Sequence, residues 1–97
     1  MKKKMYFVVL CEDKDMSGKL RSRTRPAHLQ YLQPYRDKIL LAGPLLQDGS
    51  EESAGGLIII DLPDYDAAVS FAQNDPYALA GLFARIEVRA WRKVIPA

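Results

Sequence analysis

The apolar positions of this chain fall into four short blocks, each closed by charge, glycine or proline. Residues 5–11, MYFVVLC, are aromatic and β-branched in character and run into Glu12-Asp13-Lys14-Asp15, which predicts a strand ending at a charged turn. Residues 38–46, KILLAGPLL, predict a second strand, with Pro44 tolerable only at an edge or bulge because it cannot donate to a ladder. Residues 57–62, LIIIDL, predict a third. In residues 83–91, FARIEVRAW, Ile86, Val88 and Ala90 alternate with Arg85, Glu87 and Arg89, which predicts a fourth strand with one polar face.

Helical signals lie between the strands. The charged segment from Glu12 to about Thr24 carries Gly18 and reads as an exposed loop. Pro26 suits the first turn of a helix, with Thr24 or Arg25 just outside it. His28, Tyr31, Leu32 and Tyr35 then recur at i, i+3, i+4 and i+7, one helical face. Pro34 cannot donate to the carbonyl of Gln30, so a kink or an end is expected near Gln33. QDGSEESAGG, 47–56, reads as a polar, glycine-rich turn. Pro63 and Asp64 open a second helix in which Ala68, Phe71 and Ala72 share a face. NDPYALAGL, 74–82, reads as a helical turn with Asp75 as N-cap and Pro76 in the first position.

The order βαββαβ is the split arrangement of a ferredoxin-like α+β fold, a four-stranded antiparallel sheet in the order 4-1-3-2. Strands one and three are apolar on both faces, which suits the two central places. The helices of such a fold cover one face only. Yet Tyr6, Val8 and Leu10 are as apolar as Phe7, Val9 and Cys11, and the remaining residues supply no further layer. A face-to-face homodimer, or a higher homo-oligomer built from it, is the economical way to cover the second face.

Composition adds mainly exclusions. Ninety-seven residues predict one domain, 1–97, large enough to bury roughly 60–70% of the surface of its unfolded chain. Fourteen basic and 12 acidic residues leave a net charge of +2, too even a balance to argue for nucleic acid or an anionic membrane. Cys11 is the only cysteine, so no internal disulfide forms, as suits a reducing compartment. The opening MKKKMYFVVLC lacks a small-residue cleavage site, and nothing approaches the roughly 20 apolar residues of a membrane span. A soluble, cytoplasmic protein is expected.

The chemical inventory is short. One histidine and one cysteine cannot build the usual zinc or iron sites, and no glycine-rich phosphate loop occurs, so neither a metal nor a cofactor is expected. No G-x-S-x-G elbow occurs, and Cys11, mid-strand, reads as a small buried hydrophobe. The RNA-recognition fold is also βαββαβ, but it stacks bases on aromatics of both central strands, and LIIIDL has none. What remains is His28 with a carboxylate to orient it and stabilise its imidazolium, the arrangement of a general base. Asp75 is the candidate. The residues alone leave a second account open, in which Asp75 is only a helix cap and His28 only part of a packed face.

RTRPAHLQYL, LLAGPL, NDPYALAGLF and the final VRAWRKV, in this order and spacing, resemble the YciI-like (YCII-related) family over nearly the whole chain. The resemblance implies a ferredoxin-like fold that pairs face to face as a dimeric α+β barrel. It also implies a His–Asp centre at His28 and Asp75, with Arg25 before the proline and an A-G-P turn at Ala42, Gly43 and Pro44. One branch of the family eliminates HCl from a chlorinated hydroxyquinol without a metal; most members have no assigned substrate. Pro34 departs from the family pattern, in a helix that normally runs on. The implied reading is a cofactor-independent enzyme performing elimination, isomerisation or hydrolysis on a small anionic or phenolic substrate. In it His28 takes the proton, Asp75 orients the imidazole, and Arg25, or Arg23 in its place, holds the anion; Tyr77 either lines the pocket or packs beneath its short helix. The rival is a non-catalytic dimeric module that binds a small molecule.

Overall fold

The computed structural model describes residues 4–96. Its strands are β1 (Tyr6–Asp13), β2 (Ile39–Leu46), β3 (Ser53–Asp61) and β4 (Phe83–Trp91); α1 (Gly18–Leu32) follows β1, and α2 (Tyr65–Gln73) and α3 (Pro76–Leu79) follow β3. All neighbouring strands pair antiparallel in the order β2-β3-β1-β4, which is the predicted ferredoxin-like sheet with β1 and β3 at its centre.

The period of two along β1 separates the layers. Phe7, Val9 and Cys11 are buried beneath the helices and stand opposite Ile60, Ile58 and Gly56 of β3. With Leu62, Ala68, Phe71 and Ala72 they form the core, and Tyr31, Leu32 and Tyr35 pack against it from above. Tyr6, Val8 and Leu10 turn to the other face and are only half-buried; they stand opposite Asp61, Ile59 and Leu57 on one side and Trp91, Arg89 and Glu87 on the other. Beside this apolar stripe runs a row of surface ion pairs in which Arg85 donates to Glu12 and Glu87, both at 2.8 Å, and Arg89 to Glu87 at 3.3 Å.

Two boundaries differ from the sequence reading. α1 begins at Gly18, so Pro26 lies inside the helix and the segment expected as a loop forms its first two turns. Pro26 cannot donate to the carbonyl of Ser22, but both residues are exposed and water can serve that group. No residue of α1 is fully buried, so this half of the helix lacked the apolar stripe that periodicity detects. β3 begins at Ser53 rather than Leu57, which places Gly55 and Gly56 in the strand. Glycine is required at 55, where a Cβ would overlap the carbonyl oxygen of Cys11 on the neighbouring strand.

The other punctuation holds. α1 gives way at Gln33 to a 3₁₀ turn, Gln33–Lys38, with Pro34 near its start. Pro44 sits on the edge strand β2. Asp64 caps α2, its side chain accepting from Ala67 N at 2.8 Å.

The fold generates one prediction. Gly55→Ala must push β1 and β3 apart and should cost at least about 2 kcal/mol. Gly43→Ala meets nothing within 4 Å and should stay within about 0.5 kcal/mol. Urea unfolding of the two variants compares them directly.

Candidate active site

α1 leans on α3 rather than on the sheet, and the gap beneath it is a cavity of about 400 Å³. Arg21, Arg25, His28 and Leu32, at spacings of three, four and seven, supply much of its roof. Its floor includes Val9, Cys11, Gly43, Pro44 and Ile58, and Asp75 and Tyr77 stand on its wall.

Asp75 is buried, 5% exposed, at the N-cap of α3. Its Oδ1 accepts from Tyr77 N at 2.9 Å, as a cap should. The same carboxylate meets His28, whose Nδ1 lies 2.9 Å from Oδ1 and 2.8 Å from Oδ2. Cap and histidine partner, alternatives in the sequence, are therefore one residue. An ionised carboxylate only accepts, so Nδ1 carries the proton and donates, and Nε2 of the neutral ring is the basic nitrogen. Among the described residues none hydrogen-bonds to Nε2, and no buried side-chain nitrogen or oxygen lacks a partner, so Nε2 keeps solvent access.

Tyr77 lies flat on the imidazole, with ring centroids 4.1 Å apart and 18° between planes. Burial pushes its phenol pKa up, against the pull of Arg21 and Arg25 and with the help of Asp75 and Asp13, so it remains a neutral hydrogen-bonding group. Arg21 donates through Nε to Asp13 Oδ2 at 2.7 Å, and through Nη2 to Asp13 Oδ1 at 3.2 Å and to the Gly55 carbonyl at 2.8 Å. Burial opposes the charge of Arg21, but the hydrogen bond and charge of Asp13 outweigh it and hold the guanidinium ionised. Cys11 is pushed up to about 12, by burial first and then by Asp75 and Asp13, with Arg21 opposing. Its thiol is thus the wrong species for a nucleophile at neutral pH.

Of the residues singled out in the sequence, His28, Asp75, Arg25, Gly43, Pro44 and Tyr77 all line the cavity. Arg23 is exposed and is not part of the lining. The sequence reading missed Arg21 and Asp13 because both fell in the expected loop. A signal existed for each: Arg21 precedes His28 by seven residues, two helical turns, and Asp13 continues the odd positions Phe7, Val9 and Cys11. Among the described residues no three His, Cys, Asp or Glu side chains are placed to hold a metal ion, and no helix is long and apolar enough to cross a membrane.

The chain is thus a ferredoxin-like protein of the α+β class in which a histidine and a buried aspartate are paired beside a cavity of about 400 Å³. This chain belongs to the YCII-related domain family, whose model matches residues 5–92. It is similar to Protein YciI of Escherichia coli O6:H1, 34% identical over 97 residues (93% of this chain and 99% of that one), and to an uncharacterised protein of Haemophilus influenzae, 30% identical with the same coverage. Among solved structures it resembles 5-chloro-2-hydroxyhydroquinone dehydrochlorinase (TftG) of Burkholderia phenoliruptrix AC1100, determined in complex with 2,5-dihydroxybenzoquinone. That match has a TM-score of 0.87 and 35% identity over 91% of this chain and 94% of the other. PA3566 of Pseudomonas aeruginosa, 14% identical at a TM-score of 0.55 with 97% of each chain covered, shares the fold.

The thiol yields a pH prediction. Its pKa is raised on folding from 9.0 to about 12, so the folded state holds the proton more tightly. The stability this confers is complete below about pH 9 and is lost as pH climbs toward 12. Between pH 8 and 11 the parent should therefore lose stability faster than Cys11→Ala in parallel urea titrations. A constant gap between the two proteins would show that the thiol is not buried as described.

Proposed function

We propose that this chain is a small cofactor-independent enzyme, acting in the cytoplasm, that uses His28 as general base on a small phenolic or otherwise anionic substrate. The observation that carries the reading is the two-point contact of His28 Nδ1 with the buried Asp75 carboxylate, beside a cavity within the range of ligand sites, roughly 300–1,000 Å³. Elimination is the reaction it fits best. Once the halogen-bearing ring carbon has gained a proton as its neighbouring hydroxyl becomes a ketone, Nε2 takes the proton of the hydroxyl para to that ketone. The O–H pair forms a second C=O, the ring double bond shifts to the halogen-bearing carbon, and the halide departs with the pair of its carbon–halogen bond to leave a quinone. Asp75 stabilises the imidazolium until solvent removes the proton. Isomerisation uses the same proton transfer without a leaving group, and hydrolysis directs it to water.

The arginines divide the remaining work. Arg21 is committed to Asp13 and Gly55, whereas Arg25 has no ion-pair partner among the described residues and lines the cavity. Arg25 is thus the guanidinium available to an anionic oxygen, while Leu29, Leu32 and Phe71 supply an apolar wall for a ring. The dehydrochlorinase with a similar fold was solved with a dihydroxylated quinone, a molecule of this description, which supports the substrate class. The same reading makes the protein a homodimer joined through the open sheet face. Tyr6, Val8, Leu10, Leu57 and the half-exposed Leu41 form an apolar surface there that isolation would leave wet.

Three substitutions test the chemistry with chlorinated hydroxyquinols as substrates. His28→Gln should lower kcat by about 10²–10⁴. Asp75→Asn keeps a capping oxygen, so it should stay folded while kcat falls in the same direction. Arg25→Met should raise KM more than it lowers kcat. If no substrate turns over and His28→Gln only weakens 2,5-dihydroxybenzoquinone binding, the protein is a binding module instead. For assembly, sedimentation equilibrium should give twice the chain mass for the parent and a single chain for Leu10→Glu.

A further inference from the structure

The site holds a charged pair that the chemistry above leaves idle. The side chains of Asp13 and Arg21 are 6% and 13% exposed, and the desolvation cost of burying such a pair is recovered only with good geometry and satisfied donors. Apolar residues would fill this space at less cost, so the pair does not account for itself as a stabiliser. Its geometry indicates a different use. Two hydrogen bonds to Asp13 and one to the Gly55 carbonyl tie the guanidinium to β1 and β3. The guanidinium carbon then lies 4.6 Å from the Tyr77 ring centroid, with Nη1 3.5 Å from its hydroxyl oxygen. That ring is the one on which His28 stacks.

The hydrogen bonds from Nδ1 to the two Asp75 oxygens set where the imidazole is anchored but not its tilt, because the ring can swing about that anchor. The stacked phenol removes this freedom only if the phenol is itself fixed. We propose that Arg21 is a positioning residue for His28, holding the Tyr77 ring against the imidazole so that Nε2 faces the cavity at one angle. This rests on the reading of His28 as the working base. A fixed fork is needed for the task, which is why arginine and not lysine stands at this position.

Two readouts test it. His28 is the only histidine, so the NMR signals of its ring protons are unambiguous, and their ring-current shift reports the stacked Tyr77 without any turnover. Tyr77→Leu gives the unstacked reference. Arg21→Met retains an apolar stem of similar reach but no fork; it should move the imidazole signals toward that reference and lower kcat by about 10- to 100-fold with a smaller change in KM. Arg21→Lys, which keeps the charge, should behave like Arg21→Met. Should Arg21→Met fail to fold, Asp13→Asn leaves the Gly55 bond and should give an intermediate shift.

Imidazole signals unmoved in these variants would overturn the proposal, as would moved signals with an unchanged kcat. Restoration by Arg21→Lys of both signals and rate would show that charge, not positioning, is what Arg21 contributes. Failure of the enzyme reading is a separate result: no turnover in the parent, with His28→Gln only weakening 2,5-dihydroxybenzoquinone binding. The imidazole shift alone then decides whether Arg21 sets the ring.

Discussion

The carboxylate of Asp75 serves two structures at once. It closes the start of a four-residue helix too short to hold itself, and it receives the imidazole of a helix 47 positions earlier in the chain. A buried carboxylate is tolerated only when its lone pairs are taken up, and here a backbone N–H and an imidazole N–H do so. That requirement ties α1 to α3. α1 packs on the core through Tyr31 and Leu32 near its C-terminal end, and the space beneath the preceding turns is the cavity.

The cavity is graded in character. Guanidinium groups and a neutral phenol gather around Arg21, Arg25 and Tyr77, while Leu29, Leu32 and Phe71 offer only apolar surface. A flat molecule with an ionisable oxygen on an unsaturated ring, the substrate class proposed above, would meet both parts. Stability and site also share parts. Gly55 lets β1 and β3 approach closely, and its carbonyl anchors Arg21, so the tightest point of the sheet is also where the charged network is attached.

The strands, their order, the central place of β1 and β3, the opening of α2 near Asp64 and the cap at Asp75 were legible in the sequence, because each depends on local patterning: a period of two, a proline at a helix start, an Asx side chain before a turn. So were His28 and Asp75 as candidates, since the chain has one histidine and few aspartates in capping positions. Tertiary structure decided the rest. The start of α1 was invisible because a helix that roofs a cavity needs no apolar stripe. The membership of Gly55 in β3 depended on the close approach of another strand, which no local rule reports. Arg21 and Asp13 looked like solvated loop charges and became a buried, directional pair only once β1, β3 and α3 had converged on them. Local periodicity determines elements; whether Asp75 touched His28 was settled by how far α1 stands from the sheet, a distance set by packing between segments remote in sequence.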